Sequence, residues 1–135
     1  MNRLCALIMI GLIHIAQADV YIIVNPDNHN VLSVSDVRNI FLGKVRSFPD
    51  GSTAIPVELK DGSTVREDFD QKILKKDDSQ VRAYWAQMVF TGRATPPRMV
   101  DSEAELRELV AKNPNLIGYV GNEVGSGDVH TALKN

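Results

Sequence analysis

Three short runs of β-forming residues, separated by stretches with helical periodicity, most constrain the fold of this chain. The runs cover residues 20–24, 54–59 and 116–120. The first run is continuously apolar, which is typical of a strand buried on both faces, as in a parallel sheet. Strands that alternate with helices predict an α/β domain. Its mainly parallel sheet should be flanked by helices and joined by right-handed crossovers.

The stretches between these runs carry apolar residues at helical spacing, with capping residues at their starts. Four helices are therefore expected, at about residues 33–42, 63–74, 79–90 and 102–112. Ser102 and Glu105 have the spacing of a capping box. From about residue 121 onward the chain is rich in Gly, Asn and Ser, which favours a flexible C-terminal tail. No domain boundary is visible within residues 19–135, so these residues are expected to form a single domain.

The N-terminal residues show the three regions of a secretory signal peptide. Arg3 supplies a positive charge, residues 4–15 are apolar apart from a glycine and a histidine, and residues 16–18 read Ala-Gln-Ala. Small residues in this arrangement mark a cleavage site. The apolar run is short for a permanent transmembrane helix. We therefore expect a signal peptide at 1–18, cleavage after Ala18 and export of residues 19–135 to the periplasm. The alternative is a buried N-terminal helix.

Composition and spacing argue against several kinds of site. Cys5 is the only cysteine and lies in the predicted signal peptide, so the exported chain should have no disulfide or cysteine-bound zinc. The formal net charge is −2 and becomes −3 without Arg3, whereas a protein that coats nucleic acid is usually strongly basic. His29 and His130 lack clustered ligands, so no metal or cofactor is predicted. No nucleophile–histidine arrangement or P-loop is present, which argues against an enzyme.

The stretch from Pro56 to Phe69 carries the candidate binding chemistry. It reads as a strand, a polar turn and the start of a helix. Gly62 permits a tight turn, Ser63 or Thr64 can cap the helix, and Arg66 falls in its first turn. A helix start has unpaired N–H groups and a partial positive charge, so these residues form a candidate site for a small oxyanion. The alternative is an ordinary capped helix.

Seven short motifs follow one another through the mature chain. They are Ile-Phe-Leu-Gly-Lys at 40–44, Phe-Pro-Asp-Gly at 48–51, Ile-Pro-Val at 55–57, Asp-Gly-Ser-Thr at 61–64, Ala-Tyr-Trp at 83–85, Phe-Thr-Gly-Arg at 90–93 and Asn-Pro-Asn-Leu-Ile-Gly-Tyr-Val at 113–120. Their order resembles that in the periplasmic phosphate-binding proteins of phosphate ABC transporters. The likeness is greatest to short exported proteins described as phosphate-transporter substrate-binding-like, and it extends from Tyr21 to Val120.

The resemblance implies a fold and a ligand. The larger relatives have two α/β lobes joined by a hinge, with dehydrated phosphate between them, and this chain resembles one such lobe. One lobe of the relatives contributes a loop of the type Arg-x-Asp-Gly-Ser-Gly-Thr, which matches residues 59–64 here. Ser63 would correspond to a hydroxyl that bonds phosphate, and Thr64 to a second. Leu59 replaces the family arginine, or Lys60 or Arg66 takes its role.

The same resemblance implies a function and leaves an alternative open. The implied function is binding of phosphate or a similar oxyanion in association with a phosphate ABC transporter or a sensor. Arg93 is a candidate outer contact to the anion, and the alternative is a solvated arginine or a salt bridge. The competing interpretation is a periplasmic interaction module that retains one lobe without transport. Exposed loop residues such as Phe48, Pro96 and Pro97 would then dock a partner.

Overall fold

The computed structural model describes residues 10–11, 18–122 and 127–135, and most of the predicted signal peptide lies outside the described residues. The helices are α1 (Val34–Phe41), α2 (Thr64–Phe69), α3 (Asp78–Phe90) and α4 (Glu103–Lys112), and a π-helical segment (Asp70–Leu74) continues α2. The strands are β1 (Tyr21–Val24), β2 (Ile55–Leu59), β3 (Arg98–Val100), β4 (Leu116–Val120) and β5 (His130–Lys134). Within these described ranges, no helix has both the length and the apolar character needed to cross a membrane.

The strands form one sheet in the order β3-β2-β4-β1-β5. β2 is parallel to both β3 and β4, whereas β1 is antiparallel to both β4 and β5. β5 therefore points in the same direction as β2, β3 and β4, and β1 is the one reversed strand among those described. The predicted α/β class with a mainly parallel sheet and flanking helices is confirmed.

The orientation of β1 differs from the sequence expectation. All four of its residues are buried, as a continuous apolar run predicts. The strand nevertheless lies antiparallel between β4 and β5, with Tyr21 opposite both Val120 and Lys134. A run of apolar residues indicates that both faces are covered but does not specify the direction of the neighbouring strands. The expectation that this strand has parallel neighbours was therefore wrong.

The C-terminal residues also differ from expectation, because residues 130–134 form β5 instead of a flexible tail. The backbone N–H of Val20 donates to the Asn135 carbonyl at 2.7 Å, and the N–H of Asn135 donates back to Val20 at 2.9 Å. Main-chain pairing of this kind requires no continuous apolar sequence. The polar composition after residue 121 therefore does not exclude a strand, and the predicted flexible tail was wrong for residues 130–134. The three-residue strand β3 was not expected either.

The core lies between the sheet and the helices, around three aromatic rings. Phe69 stacks on Tyr119 with ring centroids 4.0 Å apart, and Phe41 meets Phe69 edge-on at 4.7 Å. The buried Tyr119 hydroxyl accepts a hydrogen bond from the backbone N–H of Leu59 at 3.2 Å. These contacts connect α1, α2 and β4 to the end of β2, so they fix the position at which the following turn leaves the sheet.

Gly118 lets α4 pack directly against β4, and we expect Gly118→Ala to destabilise the protein by about 1–3 kcal/mol, the usual cost of overpacking a core. A methyl group at this position would clash with the fully buried side chain of Leu106. Urea unfolding, followed through the fluorescence of Trp85, the only tryptophan, measures the effect. In a Gly118→Ala/Leu106→Ala double variant the clash is absent. The double variant should therefore lose less stability than the sum of the losses in Gly118→Ala and Leu106→Ala. Simple additivity would contradict this explanation.

Candidate functional site

The turn that follows β2, residues 61–64, carries the candidate anion site and is called the Gly62 turn below. Gly62 has φ of +86°, a conformation that favours glycine, and the space beside its Cα is open. The Ser63 Oγ accepts a hydrogen bond from the backbone N–H of Arg66 at 3.3 Å and so caps α2. Thr64 begins the helix and is exposed. Four of the five predicted site residues therefore lie together around one turn.

The helix start provides several hydrogen-bond donors. The first intrahelical bond is donated by the N–H of Glu67 to the Ser63 carbonyl at 3.1 Å. The amides of Thr64 and Val65 precede it, so they have no acceptor within the helix. The Ser63 hydroxyl can donate its own proton while its oxygen accepts from Arg66. The Gly62 turn thus combines N–H and O–H donors within one turn of helix.

The side chain of Arg66 is committed to the protein interior. Arg66 is 7% exposed. Its Nη1 donates to the Leu59 carbonyl at 3.0 Å and pairs with Oδ1 of Asp61, also at 3.0 Å. Its Nη2 lies 3.6 Å from Oε2 of Glu58, and its Nε lies 3.7 Å from Oδ2 of Asp70. Arg66 therefore lies beside the turn, but carboxylates and a carbonyl already surround its guanidinium.

We call Arg66, Glu58, Asp61 and Asp70 the Arg66 cluster. Asp61 is mostly exposed, whereas Glu58 and Asp70 are buried. Oε1 of Glu58 and Oδ1 of Asp70 are buried without a hydrogen-bond partner among the described residues. One cation thus faces two buried carboxylates, each with an unsatisfied oxygen. Burying ionised carboxylates without full compensation is costly, which favours uptake of a proton.

The titration behaviour of the cluster follows from this burial. Desolvation raises the pKa of Glu58 from 4.5 to about 7, although Arg66 opposes the change. Desolvation likewise raises the pKa of Asp70 from 3.8 to about 6, again against the attraction of Arg66. Burial, followed by the nearby Glu58 charge, raises the pKa of the Tyr119 hydroxyl well above its usual value. Glu58 and Asp70 therefore remain protonated to higher pH in the cluster than they would in water.

Arg93 does not lie at the Gly62 turn. The loop that contains it leads into β3, which is parallel to β2, so this loop lies at the amino end of β2. The next residue, Ala94, lines a groove together with Ile55 and Pro56, the first residues of β2. The Gly62 turn instead follows the carboxyl end of the same strand. The expectation that Arg93 contacts the same anion is therefore not supported by its position.

Sequence reasoning missed the acidic partners of Arg66. Glu58 interrupts an otherwise apolar strand between Val57 and Leu59, and a carboxylate in that position signals a buried cation. Asp70 follows Arg66 by four residues, the spacing of a helical ion pair. Phe48, proposed as a docking residue, is only 2% exposed and belongs to the core. In the described part of the chain, no group of three or more His, Cys, Asp or Glu side chains could hold a metal ion.

Comparisons with known proteins bear on the fold of this chain. No protein-family model matches the sequence, and no curated protein matches it. A structure from Clostridium perfringens, described as a candidate phosphate ABC transporter substrate-binding protein with bound phosphate, matches 84% of this chain with TM-score 0.63 and 20% identity. An ABC-type phosphate transport receptor from Vibrio cholerae matches 85% with TM-score 0.64 and 18% identity. PstS from Borrelia burgdorferi matches 77% with TM-score 0.56 and 14% identity.

These matches establish the fold. The structural neighbours have the periplasmic-binding-protein fold, and this chain has the architecture of one part of it, as the resemblance implied. The chain spans less than half of each neighbour, with 44%, 46% and 41% of their lengths covered. The corresponding single-lobe prediction of fold class is confirmed.

Proposed function

We propose that this chain is an exported, solute-binding-like protein that takes phosphate or a similar small oxyanion at the Gly62 turn. The observation that carries the proposal is the set of N–H and O–H donors at the carboxyl end of β2, in a fold shared with phosphate-binding proteins. We further propose that residues 1–18 are a signal peptide, that residues 19–135 act in the periplasm, and that the chain works with a phosphate ABC transporter or a sensor. Its role is binding, not catalysis.

The donors at the turn set the character of the binding. An oxyanion would receive hydrogen bonds from the hydroxyls of Ser63 and Thr64 and from the free amides of the first helical turn. Arg66 lies beside the turn and carries a positive charge, but three carboxylates already pair with its guanidinium. The turn is also open to solvent, where salt screens charge interactions. We therefore expect weak binding, with a Kd of about tens of micromolar to millimolar.

Asp61 favours a protonated anion. Its carboxylate is mostly exposed and lies within the Gly62 turn. Hydrogen phosphate carries an O–H group that can donate to a carboxylate, whereas sulfate at neutral pH carries none and would only be repelled. The proposal therefore includes a preference for phosphate over sulfate. The same argument applies to any small oxyanion that retains a proton at neutral pH.

Thermal unfolding of the purified protein tests the proposal. Phosphate titrated to tens of millimolar should raise Tm saturably, and sulfate or chloride at equal ionic strength should not. A ligand at 100 times its Kd stabilises the folded state by about 2.7 kcal/mol. The Ser63→Ala/Thr64→Ala double variant should lose the selective shift because it removes both hydroxyl donors. Ser102→Ala is the matched control, since Ser102 caps α4 in the same way but lies elsewhere.

The outcomes separate the proposal from its alternative. A phosphate-selective shift that survives in the Ser63→Ala/Thr64→Ala variant would show that phosphate binds elsewhere and overturn the site. Absence of any selective shift in the unmodified protein would favour the second candidate function, a periplasmic interaction module without transport. The observation in favour of that candidate is that the Arg66 guanidinium is already engaged by three carboxylates and the Leu59 carbonyl. Arg66 is not used as a test residue, because its removal would disturb folding.

A further inference from the structure

A groove of about 320 Å³ lies at the amino end of β2, at the opposite end of this strand from the Gly62 turn. We call it the β2 groove and define it by six of its lining residues, Val45, Arg46, Ile55, Pro56, Ala94 and Thr95. Val45 is 40% exposed and Ile55 is 42% exposed, so the groove presents apolar side chains to solvent. The structure therefore leaves part of an apolar surface uncovered inside a concave site.

One cationic residue lines the β2 groove, and two more are next to lining residues in the sequence. Arg46 lines it directly, and Lys44 and Arg93 adjoin Gly43 and Ala94, which also line it. All three cations are exposed, and none forms a salt bridge within the described residues. Among the described residues, no acidic side chain lines the groove. Because the whole chain has a net charge of −2, this positive region contrasts with the rest of the molecule.

The walls of the β2 groove are held in place by contacts to neighbouring elements. Gly43 has φ of +70°, and a methyl group built there would lie 3.0 Å from Cβ of Ala94 and 3.5 Å from the Trp85 ring. The Tyr84 hydroxyl donates to the Leu42 carbonyl at 2.6 Å. The backbone N–H of Ala54 donates to the Arg46 carbonyl at 3.0 Å. The groove is therefore preformed, which lowers the entropic cost of binding.

We propose that the β2 groove binds a short acidic segment of a partner protein. One apolar side chain of that segment would lie against Val45 and Ile55, and flanking carboxylates would pair with Arg46, Lys44 and Arg93. Complementary charges of this kind steer association and fix the register of a bound peptide. An anionic membrane is disfavoured as the occupant, because the net negative chain would be repelled and the apolar residues lie in a concavity. The inference is independent of anion binding at the Gly62 turn.

A displayed library of random peptides, selected against the full chain, tests the proposal without assuming the sequence of the partner. The expected result is enrichment of peptides that combine acidic residues with a large apolar residue. An enriched peptide is then synthesised and titrated, with Trp85 fluorescence as the signal because its ring packs beside Gly43. Added salt should weaken the binding.

Charge reversal supplies the decisive comparison. Arg46→Glu/Arg93→Glu should lower the affinity for the peptide at least tenfold. Ile55→Ser should also lower this affinity, because it removes apolar contact. Arg82→Glu/Lys112→Glu is the control with the same change in net charge, at two exposed helix positions. It should leave the affinity within about twofold, since distant exposed charges are screened. The Ser63→Ala/Thr64→Ala variant should bind the peptide normally, which separates this proposal from phosphate binding.

Several outcomes would overturn the proposal. These are the absence of any enriched peptide, enrichment of basic peptides, or an affinity equal in the charge-reversed variant and its control. Vesicles containing phosphatidylglycerol provide the competing arm. Sedimentation with such vesicles that is lost in Arg46→Glu/Arg93→Glu, in the absence of peptide binding, would assign the groove to a membrane surface instead.

Discussion

Arg66→Met is expected to lower the free energy of unfolding by about 3–5 kcal/mol, because it leaves buried carboxylates without their cation. Glu58 and Asp70 are 1% and 3% exposed, so water cannot replace the lost guanidinium. Methionine retains most of the apolar stem and isolates the loss of charge and hydrogen bonds. Urea unfolding at pH 8, followed by fluorescence and circular dichroism, measures the change.

Two further variants determine whether charge is the cause. Arg82→Met removes an exposed arginine that pairs with Asp78 at 3.2 Å, and it should cost less than about 1 kcal/mol. Adding Glu58→Gln and Asp70→Asn to Arg66→Met should recover a substantial part of the lost stability, because the buried charges are then absent. If the triple variant were no more stable than Arg66→Met alone, lost packing would be the better explanation.

The second large effect is a fall in stability as pH rises from about 4.5 to 8. The pKa of Glu58 is about 7 in the folded protein and 4.5 when unperturbed, so the folded state binds more protons across this window. Stability decreases with pH wherever the folded state holds the additional proton. The raised pKa of Asp70, about 6, acts in the same direction. For Glu58 alone, the loss is of order 3 kcal/mol.

Urea unfolding at fixed ionic strength, at unit intervals of pH from 5 to 8, measures this dependence. Glu58→Gln should make the profile shallower, because an amide does not titrate and only the contribution of Asp70 remains. Glu108→Gln is the control, since Glu108 is an exposed carboxylate paired with Lys112 at the helix surface. A profile that rises steadily towards pH 8 in the unmodified protein would contradict the inferred protonation of the cluster. An unchanged slope in Glu58→Gln would assign the pH dependence to other groups.

Local signals in the sequence predicted the helices and the Gly62 turn well. Ser63, one of two candidate caps for its helix, and Ser102 each cap a helix, as their positions before apolar periodic stretches suggested. At Ser102 the capping is one-sided, because the Glu105 carboxylate accepts from Asp101 instead of the capping residue. Caps and turns depend on residues within a few positions of one another, so a single sequence contains most of the necessary information.

Features that depend on residues far apart in the chain were harder to predict from the sequence. The reversed direction of β1 and the pairing of β5 depend on strands far along the chain. Arg66 was correctly placed in the first turn of α2, but its engagement with Glu58 arises from the way the strand and helix pack. Arg93 is the last residue of one motif of the resembled family, yet the parallel pairing of β2 and β3 places its loop at the end of β2 opposite the Gly62 turn. Site residues therefore require the sheet topology as well as motifs.

The position of β1 has a consequence for biosynthesis. This strand has β4 and β5 as its only neighbours in the described sheet, and both come from the last quarter of the chain. Its hydrogen bonds cannot form until residues beyond 115 have left the ribosome, so the emerging polypeptide cannot complete its sheet early. Pairing between such distant segments also slows folding. A chain threaded unfolded through a secretion channel would benefit from this delay, since it would not become trapped as a folded domain before translocation.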